Sequence, residues 1–141
     1  MAWKTIVVGI DDTEASQRAL ERAADLAQAP DAELVVTSAA AVLTGMAAGH
    51  GVGPWDPADS PEEHRAELAH ARDYLQGRNV TAEFVLGAGE PSDAILNVAE
   101  EHNADLIVVG TREAKLLEHL MSGSVSRAVA KKAHTDVLIV H

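Results

Sequence analysis

Asp105-Leu106-Ile107-Val108-Val109-Gly110, followed after an intervening loop by Gly123-Ser124-Val125-Ser126, is the stretch whose reading decides the fold. Asp105 leads a continuous apolar run, Leu106 to Val109, of the kind a parallel strand needs when both of its faces are covered. Gly110 marks the point where that strand must end. Gly123 and Ser124 mark the start of a helix, since Ser is a strong N-cap and Gly permits close backbone approach. The free N–H groups of such a helix start, together with its dipole, favour an anion such as phosphate. The connecting loop exceeds the usual length of about two to six residues for a βα connection. Two readings therefore stand side by side: an ordinary connection, or a loop kept long for a ligand.

Outward from this stretch the chain alternates strands and helices. Lys4 to Ile10 reads as a buried strand, and Ala15 to Ala29 as a helix with Leu20, Ala23, Ala24 and Ala27 on one face, stopped by Pro30. Glu33 to Thr37 is a second strand. Ala40 to Asp59, broken by Gly45, Gly49, Gly51, Gly53, Pro54 and Pro57, reads as a mobile surface loop. Ser60-Pro61-Glu62-Glu63 opens a helix with an N-cap and the pattern of a capping box, and Gly77 is expected to close it. Val80 to Leu86 alternates in polarity, which suits a less buried, edge-lying strand. Gly87 to Pro91 turns the chain into a helix bearing Ile95, Val98, Ala99 and His102. The helix after Ser124 carries Val125, Ala128, Val129 and Lys132 on one face. Lys131, Lys132 and His134 place cations at its C-terminal end, where the dipole favours them. Asp136 to Val140 is the last strand. Such alternation predicts a doubly wound parallel sheet in one α/β domain spanning residues 1–141. Ligands in such folds bind beyond the carboxyl ends of the strands, where the strand order reverses. If the first and fourth strands are neighbours, Asp11 faces the Gly110–Ser126 segment across a cleft.

Composition narrows the function classes. The chain has 141 residues, a net charge of −11 and no cysteine, with 47% hydrophobic residues but only 3% aromatic. The core is therefore aliphatic, and disulfides and thiol chemistry are excluded. The negative charge argues against non-specific binding to nucleic acid or an anionic membrane. Any anionic ligand must be held locally, against that field. No apolar run reaches the roughly eighteen residues of a membrane span, and no signal-peptide pattern is visible, so a cytoplasmic location is expected.

Familiar catalytic motifs are missing. No Gly-Lys-Ser/Thr of a P-loop occurs, and Gly87-Ala88-Gly89 lacks the third small position of a dinucleotide fingerprint. The seven histidines include no pair at the i, i+4 spacing that grips zinc on a helix, so a histidine metal site is not expected. Ser122 and Ser124 stand in no nucleophile elbow. The protein is accordingly expected not to be an enzyme, although slow nucleotide hydrolysis is left open. Asp11 ends the first strand. It is placed either to meet a ribose or a phosphate-bound metal, or simply to turn the chain and favour the following helix.

Five pieces of the chain carry a likeness: Ile6 to Asp11, Gly89 to Leu96, Ala104 to Arg112, Gly123 to Ser126, and Thr135 to Val140. In these the sequence resembles the universal stress protein family over essentially its whole length. The resemblance implies a five-stranded parallel sheet in the order 3-2-1-4-5 with helices on both faces. It also implies a homodimer paired through the last strand, at Val137, Leu138, Ile139 and Val140. One branch of the family binds ATP or a related adenine nucleotide such as AMP, with Mg²⁺ accompanying the phosphates. That branch is marked by Gly, two residues, Gly, nine residues, then Gly and Ser or Thr. Here Gly110, Gly123 and Ser124 match at the correct spacing, and Glu113 stands where the middle glycine would be.

Carried over residue by residue, the resemblance implies a nucleotide site of Gly9, Ile10, Asp11, Ala39, Val109, Gly110, Thr111, Arg112, Glu113, Gly123, Ser124, Val125 and Ser126. Asp11 would lie near the ribose and phosphates, the Ala39 backbone at the adenine, and Ser124 to Ser126 around the phosphates. Glu113 adds bulk and charge where backbone is expected to approach the ligand. Two unit charges 4 Å apart repel by about 4 kcal/mol at an effective dielectric near 20. The side chain can also turn to solvent, meet Arg112 or Lys115, or share a divalent ion with the phosphates. Two functions remain open: an adenine-nucleotide-dependent regulator in the stress response, and a nucleotide-independent dimeric interaction module.

Overall fold

β-branched side chains crowd a helix but fit a pleated strand, and Thr5-Ile6-Val7-Val8 accordingly begins β1 (Thr5–Ile10). The computed structural model describes residues 3–11, 13–38, 61–87, 90–111 and 124–141, with only the backbone of 61–64 and 124. The order continues α1 (Glu14–Leu26), β2 (Glu33–Ser38), α2 (Pro61–Gly77), β3 (Ala82–Leu86), α3 (Pro91–Glu101), β4 (Leu106–Gly110), α4 (Ser124–Lys132) and β5 (Asp136–Val140). The expected loop at 40–59 and the Ser60 cap lie outside the described residues.

The five strands form one parallel sheet in the order β3-β2-β1-β4-β5. Strand alternation divides the core between its two faces. Ile6, Val8, Leu34, Val36, Leu106 and Val108 point toward Leu20 and Ala23 of α1 and Leu68 and Leu75 of α2. Val7, Val35, Ile107 and Val109 point the other way, toward Ile95 and Val98 of α3 and Val129 of α4. Each such side chain contributes about 1.5–3 kcal/mol on full burial. As its alternating sequence predicts, β3 lies at one edge and is only half-buried. β5 forms the other edge, with Val137, Leu138 and Ile139 half-buried and Val140 buried.

One helix ends earlier than expected, and two are closed by asparagine. α1 ends at Leu26, and the chain turns through a left-handed Asp31 (φ 68°) beyond Pro30. α2 does end at Gly77, but the left-handed residue that turns the chain is Asn79 (φ 59°), and the Val80 N–H returns to the Leu75 carbonyl at 2.9 Å. α3 closes in the same way, through Asn103 (φ 53°) and an Ala104 N–H to Ala99 carbonyl bond of 2.9 Å. Asn tolerates this region because its short amide can bond locally, so the left-handed step after each of these helices is taken by an asparagine and not by a glycine.

Two polar ties set strands against each other. The Asp105 carboxylate, one residue before β4, accepts hydrogen bonds from the Lys4 and Thr5 N–H groups at 2.9–3.1 Å. It closes the open end of β1. At the edge, Trp3 Nε1 donates to Asp136 Oδ2 at 2.9 Å, tying the chain start to β5.

Candidate nucleotide site at the ends of β1 and β4

β1 pairs with β2 on one side and β4 on the other. β2 leads toward α2 and one edge, β4 toward α4 and the other, so the strand order reverses between β1 and β4. A crevice opens there beyond the strands' carboxyl ends.

The β1–α1 turn is held by its own side chains. Asp11 Oδ1 accepts from the Thr13 N–H at 2.9 Å and from the Thr13 hydroxyl at 2.6 Å. Thr13 Oγ1 in turn accepts from the Ser16 N–H at 3.1 Å, the N-cap bond of α1. Ser16 Oγ accepts from the Asp11 N–H and donates to the Asp11 carbonyl, both at 2.9 Å. The turn-making reading of Asp11 is thus realised in the structure, with Oδ1 committed to Thr13. Thr13 was not among the expected site residues, although a Thr three positions before Ser16 at a helix start was signal enough to find it.

β4 arrives against this turn through Gly110. A Cβ on Gly110 would stand 2.4 Å from the Ala15 carbonyl oxygen and 2.9 Å from the Ser16 nitrogen. The close approach expected of Gly110 is therefore made first to the backbone of α1. Thr111 follows, its N–H donating to the Val140 carbonyl at 2.9 Å, which holds the end of β4 to β5.

α4 starts beside the same point. The first-turn N–H groups of Ser124, Val125 and Ser126 have no carbonyl one turn earlier within their helix. The first turn of α4 carries no acidic residue, and Lys131 and Lys132 lie in the last, the distribution that keeps the positive end of the helix dipole at the crevice. Gly9, Ile10, Asp11, Val109, Gly110, Val125 and Ser126 line one small cavity of about 30 Å³, with Thr13, Ser16 and Ile95 completing its wall. Seven of the expected residues are thereby brought together from β1, β4 and α4. Ile95 was read from sequence only as core, and its apolar stripe carries no sign of the cavity. Ala39, Arg112, Glu113 and Gly123 lie outside the described residues. This donor set, amides at a helix start beside small residues, fits the phosphate of a nucleotide.

Among the described residues, no helix is long and apolar enough to cross a membrane.

Comparison with known proteins agrees with this architecture. The chain matches the universal stress protein family over residues 2–141. It is 36% identical over 150 aligned residues to universal stress protein Rv1636 of Mycobacterium tuberculosis, covering 99% of this chain and 97% of that one. A crystal structure of a universal stress protein in complex with cAMP superposes with a TM-score of 0.75 at 31% identity, covering 100% of this chain and 99% of that one. The universal stress protein from Archaeoglobus fulgidus in complex with dAMP gives a TM-score of 0.69 at 25% identity, with 100% of both chains covered. A five-stranded sheet in the order 3-2-1-4-5, a switch point between β1 and β4, and a match over nearly its whole length place this chain in the universal stress protein family.

Proposed function

We propose that this protein binds an adenine nucleotide, ATP or AMP, non-covalently in the crevice between β1 and β4, as a regulatory ligand in a cytoplasmic stress response. One observation carries this reading. The crevice joins Asp11, Gly110 and the start of α4 in a chain 31% identical, over its full length, to a universal stress protein seen with cAMP. The dAMP complex of a second relative supports the adenine nucleotide class.

The roles follow from the local chemistry. Backbone N–H groups of Ser124, Val125 and Ser126 receive the phosphates. Gly110 lets β4 close against α1, so that the α4 start and the β1 turn frame one space. The Asp11 turn presents its carboxylate to the ribose, and Gly9, Ile10, Val109 and Thr111 shape the wall. From sequence, Ala39 supplies backbone to the base, Gly123 admits the phosphates, and Arg112 and Glu113 border them, with Mg²⁺ carried on the phosphates. The nucleotide acts by being bound rather than by being turned over.

Titration calorimetry of the full-length protein with MgATP, AMP and cAMP tests this. Saturable binding of at least one nucleotide is expected. No heat and no thermal stabilisation with any of the three would overturn the reading. A second reading, a nucleotide-independent interaction module working as a homodimer through β5, is favoured by one feature: Glu113 stands where the family motif has glycine. In that case Gly110 and Ser124 substitutions that keep the fold leave the function intact.

A further inference from the structure

A second cavity, of about 270 Å³, opens at the opposite end of the sheet from the crevice, where Ala104 lies just before β4 and Thr135 just before β5. Neighbouring helices of unequal length leave room for it. Leu96, Ala99, Glu100 and Asn103 recur at helical spacing along one side of α3 and the turn that follows it, while α4 stops at Lys132 and leaves a gap beside them. Ile107 of β4, Ala104 and Ala133 join Leu96 and Ala99 in an apolar floor, with Ile107 1% and Ala99 6% exposed. Three of these floor residues are alanines, too short to fill the gap.

The two walls above this floor carry opposite charge. On the α3 side stands Glu100. The last turn of α3 has no basic residue, so this carboxylate and the negative end of the helix dipole act together on a cation. Among the described residues the Glu100 side chain has no hydrogen bond or ion pair. On the α4 side stand Lys132 and His134, and Lys131 and Lys132 offset the dipole of that helix. Lys132 meets Asp93 at 3.7 Å with both side chains more than half exposed, and an exposed pair of this kind is weak enough to yield to a ligand. A purely cationic ligand would face Lys132, and a purely anionic one would face Glu100.

We infer that this cavity binds a small aliphatic zwitterion of the α-amino acid class, with its ammonium toward Glu100, its carboxylate toward Lys132 and His134, and its side chain on the apolar floor. The size agrees: pockets for drug-sized ligands hold about 300–1,000 Å³, and this one falls just below them. The cavity shares no lining residue with the crevice between β1 and β4. Its ligand is therefore independent of whether a nucleotide binds there.

Calorimetry on the full-length protein with four probes tests this. L-Leucine carries both charges and the side chain; glycine lacks the side chain, isopentylamine the carboxylate, and 4-methylpentanoate the amine. Leucine should bind saturably, about threefold or more tighter than either single-charge analogue and about tenfold or more tighter than glycine. Glu100→Gln should weaken leucine about threefold and leave 4-methylpentanoate unweakened, because that probe has no ammonium to lose its partner. Lys132→Gln should weaken leucine by a similar factor and leave isopentylamine unweakened. Both residues are exposed, so the fold is expected to survive either change. The inference fails if leucine shows no saturable binding up to about 10 mM, or if glycine or a single-charge analogue binds as tightly as leucine. It fails equally if both variants keep the wild-type affinity for leucine, or weaken all the probes alike.

Discussion

Three single residues show how local chemistry sets what this chain can do. Glu113 bears on the ligand. If its carboxylate meets the phosphates, Glu113→Gly should tighten ATP binding about tenfold or more, each 1.4 kcal/mol being a factor of ten. Adenosine should gain less, because only phosphates feel the charge. Equal or weaker ATP binding by calorimetry would mean that Glu113 turns away or shares a cation. Gly110 bears on the frame: with a Cβ position 2.4 Å from the Ala15 carbonyl oxygen, Gly110→Ala must push α1 off β4. Overpacking of this kind costs about 1–3 kcal/mol, measurable as a lower urea midpoint with an unchanged slope. Thr37 is the opposite case. It is 0% exposed, and its hydroxyl has no hydrogen-bond partner among the described residues, which carries a desolvation cost of about 1–3 kcal/mol. Thr37→Val keeps the shape and removes the orphan, so the same denaturation experiment should show a gain, and a loss would reveal a partner for the hydroxyl.

Between elements, two carboxylate-bearing ties make stability depend on pH in opposite directions. His102, the C-cap of α3, bonds the Val98 carbonyl through Nδ1 at 2.9 Å and faces Glu83 of β3 through Nε2 at 3.3 Å. The Val98 carbonyl, then the Glu83 carboxylate, raise its pKa above the usual value against the opposing effect of burial. A raised folded pKa gives stability that is full below the unfolded value of about 6.5 and is lost as pH rises through the folded one. His102→Gln should flatten that decline when urea midpoints are compared from about pH 6 to 8. Asp105 works in reverse. Burial raises its pKa, but the Lys4 and Thr5 N–H groups and its own outweigh that and hold it low. Its contribution is therefore present above about pH 4 and lost as pH falls through the lowered folded value. Asp105→Ala should cost about 2 kcal/mol near neutral pH, the range for a charged hydrogen bond, and remove part of the acid-induced loss.

For the whole molecule the open question is the β5 edge. Val137, Leu138 and Ile139 are half-buried on a strand whose partner within the chain is β4. Bare apolar edges invite pairing with another chain, and this supports the proposed homodimer. Light scattering of the wild type should give twice the chain mass, and Leu138→Lys should shift it to monomer or to precipitate. Because Leu138 also packs against the core on the α1 side, circular dichroism must show that the soluble variant remains folded. A wild type that is monomeric at working concentration would sink the edge-pairing idea.

Element type was determined locally, because the period of apolar residues is a property of neighbouring positions. Leu106 to Val109 had to be a buried strand, Val80 to Leu86 read as an edge from its alternation, and the lysines after Arg127 marked a helix C-terminus. The strand order followed from the family likeness. What tertiary structure alone decided are meetings between residues far apart in the chain: Asp105 on the N–H groups of Lys4 and Thr5, Gly110 against the backbone of Ala15, Ser38 on Glu67. No periodicity encodes these, since each depends on which strands become neighbours and how closely their ends approach. Gly110 shows the limit best. Its need for a missing side chain was legible, but the atom that fills that space belongs to a helix nearly a hundred residues earlier.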